Sequence, residues 1–487
     1  MSDVLDYQLF SDGAWQDSDS GATFDVVRPY DREVYARVAA SGREDACRAV
    51  EAGQTAFAEW AAMPPGQKAG LFRSCAQIID RRRVDLAQAL SLETGTTIAV
   101  AMFQQEAAIQ CLQAAAGWVY QTTGEVYPSD IPGLRSMSER KPLGVVACFT
   151  PWNGASLLAW RAVVQPLAAG NTVVVKPSEL APFSAGLAIA QVADEAGFPK
   201  GVVNVIPNAP GTAGEIADTF FESDAVRCIN LIGGVKTARI LAARAGQTLK
   251  RTVLELGGYN CQVVLDDADI DLAVRTAVFG AFLHQGQVCS CTRKVIVHRS
   301  IYDEFLAAFV ARTQTLQTGD PSDPTTVIGP LISAGALEAC RNAVADAESR
   351  GARVCAGGKS EGQVYEPTIL TNVPADAPVS CEETFGPIVV VESFDSEDEA
   401  ITMANRGNYG LTAAVMSRNV SRGAEFGSHL KAGGVFVNGP TVPMDESHVP
   451  MGGVRDSGWG RTGPESLKDF TDLVWTTTHS GDRQYPF

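Results

Sequence analysis

Between Leu143 and Asp267, short β-branched runs alternate with helix-length segments, and this alternation restricts the fold more than any other feature of the chain. Val145-Val-Ala-Cys-Phe-Thr150 reads as a buried strand. Thr172-Val-Val-Val-Lys176, Val202-Val-Asn-Val-Ile206 and Ala225-Val-Arg-Cys-Ile-Asn-Leu231 read as three more. Helices are expected over about 182–196, over 211–221 and from Val235 onward. Strand-helix-strand order argues a doubly wound parallel sheet, and such sheets bind ligands at the carboxyl ends of their strands. A second α/β pattern starts at Asp267. It runs through a helix over 269–283, a strand over 294–298, a helix over 301–316 and a strand over 411–416.

The remaining segments suggest a third unit. Two long helices are expected near the N-terminus, over about 44–63 and 66–95. The stretch 122–132 is broken by Gly and Pro and reads as an extended arm. The β-branched tail, 470–478, reads as an edge strand able to pair with another subunit. A chain of 487 residues exceeds one ordinary core, so two or three domains are expected.

Charge and cysteine usage exclude several functions. Acidic residues outnumber basic ones, 56 to 39, for a net charge of −17. Such a surface repels nucleic acid and anionic membranes. No apolar run reaches the roughly 18–20 residues of a membrane span. The opening residues lack the pattern of a signal peptide. The 11 cysteines show no repeated CxxC spacing, so neither a disulfide framework nor a metal site is expected, and a reducing cytoplasm is the default location.

Three segments carry chemistry. Gln285-Gly-Gln-Val-Cys289-Ser-Cys291-Thr-Arg293 offers a thiol nucleophile. Leu254-Glu255-Leu256-Gly257-Gly258 offers a carboxylate base in apolar, Gly-rich surroundings. Thr150-Pro151-Trp152-Asn153 offers a side-chain amide. These parts can add a thiol to a carbonyl, stabilise the oxyanion and deliver water. Taken singly, each has a plainer reading: a buried free thiol, a surface carboxylate, an asparagine in a turn.

The order and spacing of the three segments resemble the aldehyde dehydrogenase superfamily, from about Trp15 to Phe470. The resemblance implies an NAD-binding domain from 1–121 and 143–254, and a catalytic domain over 255–455 carrying Cys289. It also implies an oligomerisation arm and tail over 122–142 and 456–487. Two doubly wound parallel-sheet domains plus a β arm, assembled as homodimers or homotetramers, are the expected architecture. The implied reaction oxidises an aldehyde to its acid through a Cys289 thioester, with Glu255 as general base and Asn153 in the oxyanion hole. Glu255 also argues against transfer of the acyl group to coenzyme A.

The implied cofactor contacts are Thr150, Pro151, Trp152, Lys176, Ser178, Glu179, Gly214, Gly233, Gly234, Leu256, Gly257, Glu383 and Phe385. Glu179 would accept from a free ribose 2′-OH and so favours NAD, with NADP possible. Two departures stand out. The family's Gly-Ser-x-x-x-Gly is here Gly233-Gly234-Val-Lys-Thr-Ala238, and Pro210 stands where a glycine is common. Backbone N–H groups at a helix start can still hold a pyrophosphate. The run from Trp152 to Leu167 resembles the benzaldehyde, salicylaldehyde and vanillin dehydrogenase branch. An aromatic or bulky apolar aldehyde is therefore expected, with aliphatic aldehydes or semialdehydes as the alternative. Trp160, Phe282, Val442 and Trp459, together with residues through His448, are the candidate substrate contacts. Arg161 is expected to face a helix partner, and Arg293 to support the Cys289 loop. A catalytically silent binding relative is the competing class; the presence of both Cys289 and Glu255 disfavours it.

Overall fold

The computed structural model describes residues 4–121, 124–443, 448–481 and 485–487. The 143–256 region forms five parallel strands: β1 (Val145–Thr150), β2 (Thr172–Pro177), β3 (Val203–Val205), β4 (Val226–Gly233) and β5 (Arg251–Leu256). Their spatial order is β5-β4-β1-β2-β3. The chain starts at β1, winds outward through β2 and β3, then crosses back to β4 and β5. The order therefore reverses between β1 and β4, and a crevice opens outside their carboxyl ends. β1 and β2 are buried along their whole length, because helices cover both faces. The pair Leu9–Ser11 and Ala14–Gln16 extends one edge of this sheet, and the short strand Gly458–Trp459 extends the other.

A second sheet carries β6 (Asn260–Val264), β7 (Thr292–His298), β8 (Thr368–Thr371), β9 (Ile388–Phe394), β10 (Thr412–Met416) and β11 (Gly434–Val437) in the order β8-β9-β7-β6-β10-β11. All these neighbours are parallel. An antiparallel strand, Arg353–Ala356, closes the β8 edge.

Four helices matter for the site: α1 (Ile98–Trp118), α2 (Leu157–Ala168), α3 (Val235–Gln247) and α4 (Ile270–Phe282). The long helix expected over 66–95 is two, Pro65–Arg81 and Arg83–Thr94, broken at Arg82. Helix α1 did not announce itself in the sequence because it is apolar on nearly every side and carries no amphipathic stripe.

The arm and tail form a third, antiparallel sheet. Thr471–His479 pairs with Leu134–Pro142 along its full length, from Thr471 opposite Pro142 to His479 opposite Leu134. The tail strand thus has its partner within this chain, and only its outer edge is left unpaired. The stretch from 456 does not join the arm at once, because Gly458 and Trp459 first pair with β5 of the first sheet. Among the described residues, no helix is long and apolar enough to cross a membrane.

Candidate active site

Cys289 lies on the loop between α4 and β7. Directly after α4 the chain makes a left-handed turn, with φ of 52° at His284, 56° at Gln285 and 71° at Gly286. Buried side chains lock this turn. Gln285 Nε2 donates to the carbonyls of Gly95 and Pro330 at 2.9 and 3.1 Å. Gln287 Oε1 accepts from the Ile332 amide. The Arg293 guanidinium donates to the Gly286 and Val288 carbonyls and to that of Gly386, so it joins the Cys289 loop to the Glu383–Pro387 segment. Arg293 is therefore a loop support.

Two cavities meet at Cys289, and both are walled by Asn153, Leu158, Arg161, Cys289 and Met451. One runs over the carboxyl ends of the first sheet. Its wall includes Thr150, Pro151, Trp152, Lys176, Ser178, Glu179, Gly233, Gly234, Glu255, Leu256, Gly257, Glu383 and Phe385. The other is mostly apolar. One face of α1 supplies Val100, Phe103, Gln104, Ala107 and Cys111, joined by Leu157, Leu283, Val442 and Pro443.

Burial governs the electrostatics of the thiol and of the carboxylates around it. Burial pushes the Cys289 thiol up to about 12; Glu383 and Glu255 add to the rise, and Arg161 opposes it. Burial likewise raises Glu255, against the pull of Arg161 and Arg461. Arg161 Nη1 sits 3.9 Å from Glu255 Oε2. A thiol protonated at neutral pH needs a base, and a buried carboxylate with a raised pKa suits that work. Glu383 is raised to about 7 by burial, eased by Arg293 and by the Gly258 N–H that donates to its Oε1 at 3.3 Å. Burial lowers Lys176, whose Nζ lies 3.7 Å from Glu179 Oε2.

Gly257 lets the Glu383 carboxylate approach the chain closely. A Cβ there would fall 2.1 Å from Glu383 Oε2. Phe385 adopts φ of 47° and meets Trp152 edge to face, with ring centroids 5.5 Å apart.

The sequence profile of the aldehyde dehydrogenase family matches residues 15–476. The chain belongs to that family. Vanillin dehydrogenase of Pseudomonas fluorescens is 40% identical, over 99% of this chain and 100% of its own length. A crystal structure of salicylaldehyde dehydrogenase from Pseudomonas putida, complexed with salicylaldehyde, superposes with a TM-score of 0.96 at 38% identity, over 99% of this chain and 100% of that one. Betaine aldehyde dehydrogenase from Staphylococcus aureus, in complex with NAD+, superposes at 0.94 with 33% identity, over 99% and 96% of the two chains.

The aldehyde dehydrogenase fold brings Cys289 and Asn153 to the junction of the two cavities and Glu255 to the wall of the first, along which every cofactor candidate but one also lies. The exception is Gly214, which lies in the first turn of the helix Ala213–Glu222, outside that wall. Of the described substrate candidates, Val442 and its neighbour Pro443 line the apolar cavity. Trp160 is buried against Leu86, Gln105 and Phe183. Successive helical residues point about 100° apart, so on α2 it is Leu158, Arg161 and Gln165 that share the tunnel face. Arg161, expected to face a helix partner, therefore reaches the tunnel. Phe282 is a core residue stacked on Phe309. Trp459 stands half-exposed at the sheet edge, where its Nε1 donates to the Thr252 carbonyl. Residues 444–447 of the segment leading to His448 lie outside the described residues. The wall supplied by α1 was missed, although its 100-103-104-107-111 spacing is helical.

Proposed function

We propose that this aldehyde dehydrogenase oxidises aromatic aldehydes to carboxylic acids with NAD, through a thioester on Cys289. The observation that carries the reading is the junction: an apolar cavity and a strand-end cavity share one wall, and Cys289 stands in it. Similarity to vanillin and salicylaldehyde dehydrogenases supports the aromatic substrate. The strand-end cavity fits a dinucleotide. Lys176 and Glu179 would take the adenosine ribose, the start of α3 at Gly233–Gly234 the pyrophosphate, and Glu383 with Phe385 the nicotinamide end. Glu179 favours NAD over NADP. NAD, when bound, supplies the acceptor for the hydride that leaves the substrate carbon.

The chain's own residues account for the rest. Glu255 takes the thiol proton. Cys289 Sγ then bonds to the aldehyde carbon, and the carbonyl oxygen becomes an oxyanion held by the Asn153 amide and the Cys289 N–H. Loss of hydride leaves a thioester. Glu255 passes the thiol proton to solvent and then takes a proton from water, whose oxygen attacks the thioester carbon; the C–S bond breaks, the acid departs, and the proton on Glu255 returns to the Cys289 thiolate. The catalytic assignments of Cys289, Glu255 and Asn153, the division into cofactor, catalytic and oligomerisation units, a cytoplasmic location, and assembly into dimers or tetramers through the open tail edge belong to the same proposal.

A carboxylated aldehyde is the second reading, favoured by Arg161 in the tunnel wall and weakened by the pairing of Arg161 with Glu255. The test is NADH formation by purified protein over a panel of benzaldehyde-type, aliphatic and semialdehyde substrates, with and without coenzyme A. Preference for aromatic aldehydes, abolished in Cys289→Ala, is the expected result. Turnover confined to aliphatic or carboxylated aldehydes would sink the aromatic reading.

A further inference from the structure

The two halves of the oxyanion hole stand on different sheets. Asn153 follows β1 of the first sheet, and Cys289 precedes β7 of the second. Such a site works only while its donors hold their geometry to within about half an ångström. Something must therefore tie the Asn153 turn to the Cys289 loop.

His284 lies at that seam. It is 1% exposed and sits in the wall that also holds Asn153 and Cys289. Among the described residues, neither ring nitrogen has a hydrogen-bond partner. The polar groups facing the ring are the Asn153 backbone carbonyl and the side chain of Gln285, whose Oε1 also lacks a donor. Burial pushes the imidazole down to about 4, and the two acceptors only partly offset it. A neutral ring has one N–H to give. Its backbone is held left-handed, at φ 52°, by the anchored Gln285 beside it, so the main chain is fixed while the ring has no polar tether. A buried donor left without a partner is costly, and the Asn153 carbonyl is the acceptor that would satisfy it. Gln104 Nε2, 3.4 Å from the same Asn153 carbonyl, sits on α1 and packs with the first sheet's side of the seam. It cannot tether Asn153 to the Cys289 loop.

We propose that His284 is a positioning residue: its neutral N–H bonds the Asn153 backbone carbonyl as the oxyanion forms, keeping the Asn153 amide and the Cys289 N–H aimed at one oxygen. This rests on the assignment of Asn153 and Cys289 under the proposed function.

The test uses the full-length protein and p-nitrophenyl acetate, whose cleavage needs the thiol and the oxyanion hole but no cofactor. Alkylation of Cys289 by iodoacetamide, which forms no oxyanion, is measured beside it. His284→Leu should lower kcat for the ester about tenfold, less than direct loss of a hole donor, with KM and the alkylation rate unchanged. His284→Asn, which keeps an N–H donor, should recover most of the loss. In an Asn153→Ala background, His284→Leu should cost nothing further, because both changes act through one group. His284→Phe carries the same expectations if leucine prevents folding. Additive losses in the double variant, alkylation falling in step with kcat, or no loss at all would overturn the proposal. Ester cleavage that survives Cys289→Ala would instead overturn the assignment of the nucleophile, and this proposal with it; no His284 result mimics that outcome.

Discussion

The two cavities that meet at Cys289 are built in opposite ways. The cofactor side is made where strands end, so its wall comes in contiguous pieces: Thr150 to Asn153 after β1, Gly233 and Gly234 after β4, Glu255 to Gly257 at the end of β5. The apolar side is made from helix faces and loops, so its wall is scattered one to three residues at a time along α1, α2 and the 283–290 and 442–463 segments. A surface made of strand ends is governed by backbone geometry and can be shared by many relatives. One made of side chains can be altered residue by residue without disturbing its neighbour. Binding on one side should therefore be separable from binding on the other, with Cys289 the point where both fail.

The largest effect is expected at the junction. Cys289→Ala should lower kcat by at least about 10⁴-fold while NAD binding, followed by fluorescence, stays intact. Retained turnover would deny the two cavities a common centre. Glu255→Gln should slow both the first NADH burst in stopped flow and the steady state, the latter by about 10²–10³-fold; a burst of unchanged rate would confine Glu255 to hydrolysis of the thioester. Asn153→Ala should cost about 10²-fold in kcat with little change in either binding constant.

Smaller effects test the separation itself. Gly257→Ala forces the Glu383 carboxylate aside, since the new methyl would lie 2.1 Å from its Oε2. NAD should then bind about tenfold more weakly, roughly the worth of one charge-assisted hydrogen bond, while cofactor-free ester cleavage is spared. Val442→Phe should do the reverse, raising KM for aromatic aldehydes and leaving NAD affinity alone; an equal loss on both sides would show the cavities to be coupled. The weakest effect is a pH dependence. Glu383 is raised to about 7. It is protonated below that pH and accepts ribose hydroxyls better above it, so NAD should bind severalfold more tightly at pH 8 than at pH 6, and Glu383→Gln should flatten the curve. Linkage gives stability the opposite sign. Between the ordinary carboxylate range and about pH 7, the folded form holds a proton the unfolded chain has lost, so the Glu383 contribution to stability falls as pH rises through that window.

The same contrast explains what could be read in the sequence. β-branched runs mark the strands, and the residues just past their ends wall the strand-end cavity, so that wall was legible apart from Gly214, which lies inside a helix. The substrate wall was not. Every residue from Leu158 to Ala168 on α2 is buried, so no polar stripe tells that Arg161 and not Trp160 lines the tunnel. Helix α1 hid for the same reason. Phe282 and Trp459 show the limit of choosing by size: one fills the core and the other caps a sheet edge. The break at Arg82 had no Gly or Pro to announce it.

The arm and tail set the timetable of folding. Trp475 Nε1 donates to Ser136 Oγ across 339 residues of chain, and the whole third sheet closes over a span of that order. Contacts so distant are slow, because the loop must be closed before they contribute. During synthesis both α/β sheets can complete while Leu134–Pro142 still waits for its partner strand. The third sheet is thus the last to close, and until the tail strand Thr471–His479 is available the arm presents a bare β edge to every neighbouring nascent chain.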